Sequence, residues 1–162
     1  GGVDFIIAET LPSVDEAIGI ARAIERSGLP YFISFVISRD GHVLDGSDLS
    51  MAIKRVDAST KRQALGFMVN CAYPSFLCAA SQPSVVFQRL LGYLANASSK
   101  DHCDLDGAQE LLMETVSDWG DIMLDLNRNY GVKVLGGCCG TNEQHLKYLV
   151  DGKQRSIHAN HT

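Results

Sequence analysis

An α/β fold, in which five strands alternate with helices around a parallel sheet, is what this sequence predicts. Two observations carry the prediction. Short apolar runs rich in β-branched and aromatic residues recur between stretches whose apolar positions repeat every 3.6 residues. The unusual polar residues, a carboxylate and three cysteines, stand where those apolar runs end rather than inside them.

The first run, residues 3–8, reads VDFIIA and predicts a strand. Ser13 can cap the following helix, with Glu16 completing a capping box. Val14, Ala17, Ile18, Ala21 and Ile24 share one face of that helix, and Gly28 marks its end. Residues 31–37 form the second strand, and a polar turn around Arg39, Asp40 and Gly41 leads to a helix over 49–58. The third strand covers 65–70. A less regular stretch holding Pro74 and Pro83 precedes the fourth strand, 90–95. Residues 98–107 read as loop and 111–113 as a short helical turn. A clearer helix covers 117–130, with Trp119, Ile122, Met123, Leu126 and Tyr130 on one face and Gly131 as its stop. The fifth strand covers 132–136, and Thr141 with Gln144 suggests a capping box for a last helix ending near Val150. Residues 1–150 are thus expected to form one domain. The polar remainder, 151–162, has no apolar period and is expected to fray.

The 162 residues, 46% hydrophobic and 20% charged, suffice for one sizeable core. A net charge of −5, with no basic patch and interleaved aromatics, argues against nucleic acid and against an anionic membrane surface. No apolar run approaches the roughly 20 residues of a membrane span. The first residues show neither a basic n-region nor an initiator Met, which suggests a truncated or processed start rather than a signal peptide. Five cysteines, an odd count without a small disulfide scaffold, fit a reducing compartment, so the cytoplasm is the expected location.

The chemistry concentrates in residues 136–141, GGCCGT, directly after an apolar run. Successive strand residues face opposite ways, so Cys138 and Cys139 can meet one ion only if the backbone leaves the sheet, which Gly136, Gly137 and Gly140 permit. Cys71 ends another apolar run and is a third candidate ligand. Glu9 follows the first strand, Cys71 the third, and the cysteine pair the fifth. In a β/α barrel, alternate strands fill the same interior layer and active sites lie at the C-terminal strand ends, so this parity gathers one carboxylate and three thiols at one rim. Three thiolates suit Zn2+ and leave one position open, as in a catalytic rather than a structural site. A substrate thiol could fill that position, which favours thiol alkylation over hydrolysis.

Blander readings stand beside this one. Cys138 and Cys139 could be buried hydrophobes, a vicinal disulfide or a redox pair, although adjacent cysteines lack the CxxC spacing. Cys78 and Cys103 read as a small core residue and a loop thiol. His42, His102, His145, His158 and His161 all lie away from the expected strand ends. Glu9 could cap the helix at Ser13, and Asn70 could simply hold the turn around Cys71.

GGCCGT at 136–141, VNC at 69–71 and DFIIAET at 4–10 together resemble the homocysteine S-methyltransferase family, which includes betaine- and S-methylmethionine-dependent enzymes. The resemblance covers residues 2–150 in the family's order. It implies a zinc-dependent (βα)8 TIM barrel that transfers a methyl group from a methyl donor to homocysteine, making methionine. It also implies Cys71, Cys138 and Cys139 as zinc ligands, Glu9 as the group binding the homocysteine amine, and Asn70 as a substrate-binding neighbour. Only the C-terminal five βα units of the barrel are matched, so a missing N-terminal barrel segment is an expected partner. Open sheet edges also favour self-association. A non-catalytic zinc-binding structural or interaction protein is the alternative.

Overall fold

The computed structural model describes residues 2–99 and 115–159. Five parallel strands, β1 (Ile6–Leu11), β2 (Tyr31–Phe35), β3 (Gly66–Ala72), β4 (Leu90–Ala95) and β5 (Val134–Gly137), form one sheet in chain order. Helices α1 (Val14–Glu25), α2 (Leu49–Ser59), α3 (Ser84–Arg89), α4 (Val116–Tyr130) and α5 (Glu143–Ala159) alternate with them. A doubly wound sheet reverses its strand order at a switch point, whereas an unreversed order with one sense of crossover keeps the helices on one side, as in a barrel wall. The five βα units form such an arc.

Alternation with period two explains the core. Tyr31, Ile33 and Phe35 of β2, Phe67 and Val69 of β3, and Tyr93 and Ala95 of β4 are buried against the helices. Val14, Ala17 and Ala21 of α1, Leu49, Ala52, Ile53 and Val56 of α2, and Trp119, Met123 and Leu126 of α4 meet them at helical spacing. The opposite sheet face is open at its margins, where Ile7 of β1 is 38% and Val134 of β5 48% exposed. Among the described residues, no helix is long and apolar enough to cross a membrane.

Several boundaries differ from those the sequence suggests. β1 begins later than residue 3 and runs on through the polar pair Glu9 and Thr10, because a bulge there lets Leu11 resume pairing with Phe35. β3 likewise extends past Asn70 to Ala72, again with a shift in register. Val132 donates its N–H to Leu126 O (3.1 Å), so it closes α4 instead of opening β5. The stretch around Pro74 and Pro83 holds two 3-10 turns, Pro74–Leu77 and Ala79–Ser81, followed by α3.

The start of α5 is set by Asn142 rather than by Thr141: Asn142 Oδ1 accepts from Gln144 N–H (3.0 Å), while the Thr141 hydroxyl donates to Cys138 O. α5 also does not end near Val150. Gly152 lies buried against Leu124 of α4, a contact that needs a missing side chain and so leaves no apolar period to read. The expected loop and helical turn beyond Ser99 lie outside the described residues.

Candidate metal and substrate site

Two segments, the end of β3 and the loop after β5, deliver the thiols. At the end of β3, Cys71 has φ +54°, a left-handed conformation uncommon outside glycine, and the register shifts between Asn70 and Ala72. This turns Cys71 out of the sheet's alternation. After β5 the chain passes through Cys138 and Cys139 to Gly140 at φ +77°. The backbone past β4 holds this loop: Cys138 N–H donates to Ala95 O (2.7 Å) and Ala97 N–H to Cys139 O (2.9 Å). Thr141 Oγ1 donates to Cys138 O (2.7 Å).

The sulfurs of Cys71, Cys138 and Cys139 thereby lie within 4.8 Å of one another, with Cys71 Sγ 2.6 Å from Cys138 Sγ and 4.0 Å from Cys139 Sγ. Burial, and then the neighbouring thiols, push the Cys71 thiol up to about 12. Three thiolates this close repel one another unless a cation lies between them, and an all-sulfur donor set suits zinc. The residues fit that ion. The trio expected from the sequence is brought together.

Asn96, just past β4, ties the cysteine loops to each other and was not singled out by the sequence. Its Nδ2 donates to Cys71 O (3.0 Å), and its Oδ1 accepts from Cys139 N–H (3.1 Å). Its backbone is held too, since Asn96 O accepts from the Trp119 indole (3.0 Å) and Asn96 N–H donates to Ala72 O (3.0 Å).

Asn70 is 2% exposed and fully engaged with protein groups at its oxygen. Oδ1 accepts from Thr10 N–H (2.9 Å) and from the Ser34 hydroxyl (2.6 Å), and Nδ2 donates to Thr10 Oγ1 (2.6 Å). Glu9 is an exposed residue of β1. It is not the cap of α1: Ser13 Oγ accepts from Glu16 N–H (3.3 Å), and Asp45 Oδ2 accepts from Val14 N–H (2.7 Å). Ser13 thus caps α1 through the Glu16 N–H, the Ser13 half of the expected box.

A cavity of about 580 Å³ opens beside Cys71, bounded by Ser38, Arg39, Asp40, Leu44 and Phe76 and by Asn96. The Arg39 guanidinium lies 5.1 Å over the Phe76 ring. The Ser38 hydroxyl and the His42 backbone N–H hold the Asp40 carboxyl down at about 2, so it is an anion at any ordinary pH. The His42 ring stands between Asp40 (3.2 Å) and Asp48 (3.0 Å), which raises its pKa, Asp40 most strongly. Cys78 lies outside the thiol group, 3.5 Å from Arg39 O. His145 is buried edge-on to Trp119. Cys103 and the side chains of His102, His158 and His161 lie outside those described.

Comparison with known proteins gives a consistent result. The sequence model of the family described as homocysteine S-methyltransferase matches residues 1–152. Betaine–homocysteine S-methyltransferase 1 of Rattus norvegicus is 27% identical over 164 residues, which cover 92% of this chain and 39% of that protein. S-methylmethionine–homocysteine S-methyltransferase BHMT2 of Mus musculus is 24% identical, covering 92% of this chain and 44% of its own length. Among solved structures, the metallated form of the homocysteine methyltransferase MmuM from Escherichia coli superposes with a TM-score of 0.60 at 19% identity, over 91% of this chain and 44% of that one. The chain therefore spans about two fifths of the length of the curated relatives it matches.

Proposed function

The chain belongs to the homocysteine S-methyltransferase family, and on that premise we propose that it carries the metal-bearing part of a site that transfers a methyl group to the thiol of homocysteine, giving methionine. The observation that carries the proposal is the convergence of Cys71, Cys138 and Cys139 from β3 and β5. These three residues would hold Zn2+, and the ion would supply the positive charge that keeps a substrate thiol ionised near neutral pH. Among the described residues no fourth His, Cys, Asp or Glu joins the group, which favours an open position over a closed structural site.

The chain's own residues supply position and charge. Asn96 fixes the Cys71 and Cys139 backbones relative to one another, so the sulfurs face one point. The exposed Glu9 carboxylate would meet the homocysteine ammonium. The cavity beside Cys71, with its permanent Asp40 anion, would take the methyl donor, whose reacting centre is a cation in sulfonium and quaternary ammonium compounds alike. In the transfer the homocysteine sulfur gains the S–CH3 bond and its thiol proton is lost to solvent. The donor's C–S or C–N bond breaks, and its electron pair stays with the departing neutral fragment.

We propose further that additional βα units outside these residues complete the barrel. The greater length of the relatives supports this, as do the one-sided pairing of β1 and β5 among the described residues and the exposure of Ile7 and Val134. The cysteines are free thiols among the described residues, which supports a cytoplasmic setting.

The test is zinc content and homocysteine-dependent methyl transfer by the full-length protein carrying this chain. About one zinc per chain, with activity lost to a chelator and restored by zinc, is the expected result. Folded, metal-free protein whose three cysteines all react freely with an alkylating agent would overturn the proposal.

A further inference from the structure

We propose that the Asn70 side-chain amide is a positioning group that fixes the β1 rim, Glu9 and Thr10, against Cys71, and so sets where the Glu9 carboxylate stands relative to the thiols. This rests on the reading of Glu9 as the partner of the homocysteine amine and assigns Asn70 a role other than substrate contact.

The geometry begins with a bulge. β1 pairs Ala8 with Ile33 and Leu11 with Phe35, so Glu9 and Thr10 together stand opposite Ser34 alone. A bulged residue loses its ladder partner, and the freed N–H of Thr10 goes to Asn70 Oδ1 at 2.9 Å. Thr10 also has φ +60°, where a β-branched residue is a genuine outlier. Such a conformation persists only where its surroundings over-determine it, and it concentrates at functional sites. Here the determinant is one side chain. Asn70 takes both the N–H and the hydroxyl of Thr10 and binds the fully buried Ser34 hydroxyl of β2 on the way.

The residue on each side of this bridge carries the proposed chemistry. Glu9 precedes Thr10, and Cys71 follows Asn70 with its own left-handed backbone at φ +54°. One amide therefore ties three adjacent strands at the point where the carboxylate and the first thiol leave the sheet. With its oxygen accepting two hydrogen bonds, one Nδ2 hydrogen committed and 2% of its surface exposed, Asn70 is built as a strut.

A double-mutant cycle on the full-length, zinc-loaded protein separates positioning from general support. Asn70→Ala strands the Thr10 N–H and the buried Ser34 hydroxyl and could fail to fold, so Thr10→Gly and Ser34→Ala are the working variants. Glycine accepts φ +60° freely and keeps the N–H bond to Asn70, while losing the hydroxyl that fixes the rim. In each variant, homocysteine affinity measured by calorimetry should fall about five- to tenfold, the scale of one misplaced hydrogen bond to a charge. Zinc per chain and kcat should be unchanged, and in Ser34→Ala, where Asn70 loses a hydrogen-bond partner, exchange of the Thr10 amide should quicken. In the Glu9→Gln background the same changes should cost nothing further. Equal losses in both backgrounds, no loss in either, or loss of zinc in place of homocysteine affinity would overturn the proposal. Glu9→Gln binding homocysteine as well as wild type would instead remove the underlying reading of Glu9, and the proposal with it.

Discussion

Cys71, Cys138 and Cys139 offer one sulfur each, and a tetrahedral ion with one position open to substrate has no spare protein ligand. Cys71→Ser, Cys138→Ser and Cys139→Ser should each remove most bound zinc, read as metal per chain, whereas Cys78→Ala should leave the stoichiometry unchanged because its sulfur faces Arg39 O instead. Glu9→Gln should retain zinc and raise the homocysteine KM about tenfold or more, the scale of a charge-assisted hydrogen bond lost from a charged partner; an unchanged KM would show that Glu9 does not meet the amine. The thiol trio was legible in the sequence because cysteines are conspicuous at the ends of apolar runs. Asn96, Thr10 and Ser34 were not. An amide or hydroxyl becomes informative only through its partner, and the partners here lie far along the chain, as Thr10 and Asn70 do at 60 residues' separation.

At the scale of elements, the loop after β5 is held by a glycine that nothing can replace without displacing its neighbour. A Cβ on Gly137 would press into Thr141, whose hydroxyl holds Cys138 O. Gly137→Ala should therefore lower stability by about 1–3 kcal/mol, as overpacking does, and weaken zinc retention in a chelator competition. Wild-type zinc affinity in that variant would show that Thr141 does not orient the pair.

The first turn of α5 makes a prediction in pH. His145 Nδ1 lies 3.2 Å from Asn142 N and 2.9 Å from Asn142 Oδ1, and burial lowers the imidazole pKa below its ordinary 6.5. The unfolded chain thus binds this proton more tightly than the folded one, so stability is present above about 6.5 and is lost as pH falls through the depressed value. His42, raised by Asp40, works in the opposite sense, favouring the fold below 6.5 and losing its contribution as pH rises through its raised value; on its exposed loop that contribution is screened. The drop in Tm between pH 7 and pH 5 should be smaller in His145→Gln than in wild type, and an equal drop in both would rule His145 out as its source.

Helix faces were readable where the 3.6-residue period met a stop, as in α4 with Gly131, whereas the Thr115 and Asp118 capping box that opens α4 was not singled out. Strand ends were less so. The bulge at Glu9 and Thr10 and the closing role of Val132 depend on hydrogen bonds to other elements, and the continuation of α5 depends on the close approach of Gly152 to Leu124.

For the molecule as a whole, alternating apolar runs indicate a parallel α/β sheet but leave its winding open. The unreversed order β1 to β5 settles it as an arc of barrel wall. That order brings the C-terminal ends of alternate strands to one rim, which is why Cys71 at the end of β3 and the cysteine pair after β5 can share a metal across β4, with Asn96 just past the intervening strand bonded to both segments. The central claim is that this shared ion keeps one position for the substrate's sulfur. Zinc-edge X-ray absorption on the full-length protein, with and without homocysteine, tests it directly: the account predicts three protein sulfurs at about 2.3 Å and a fourth at the same distance once homocysteine is added. A coordination shell that ignores homocysteine, or one with fewer than three sulfurs, would contradict it.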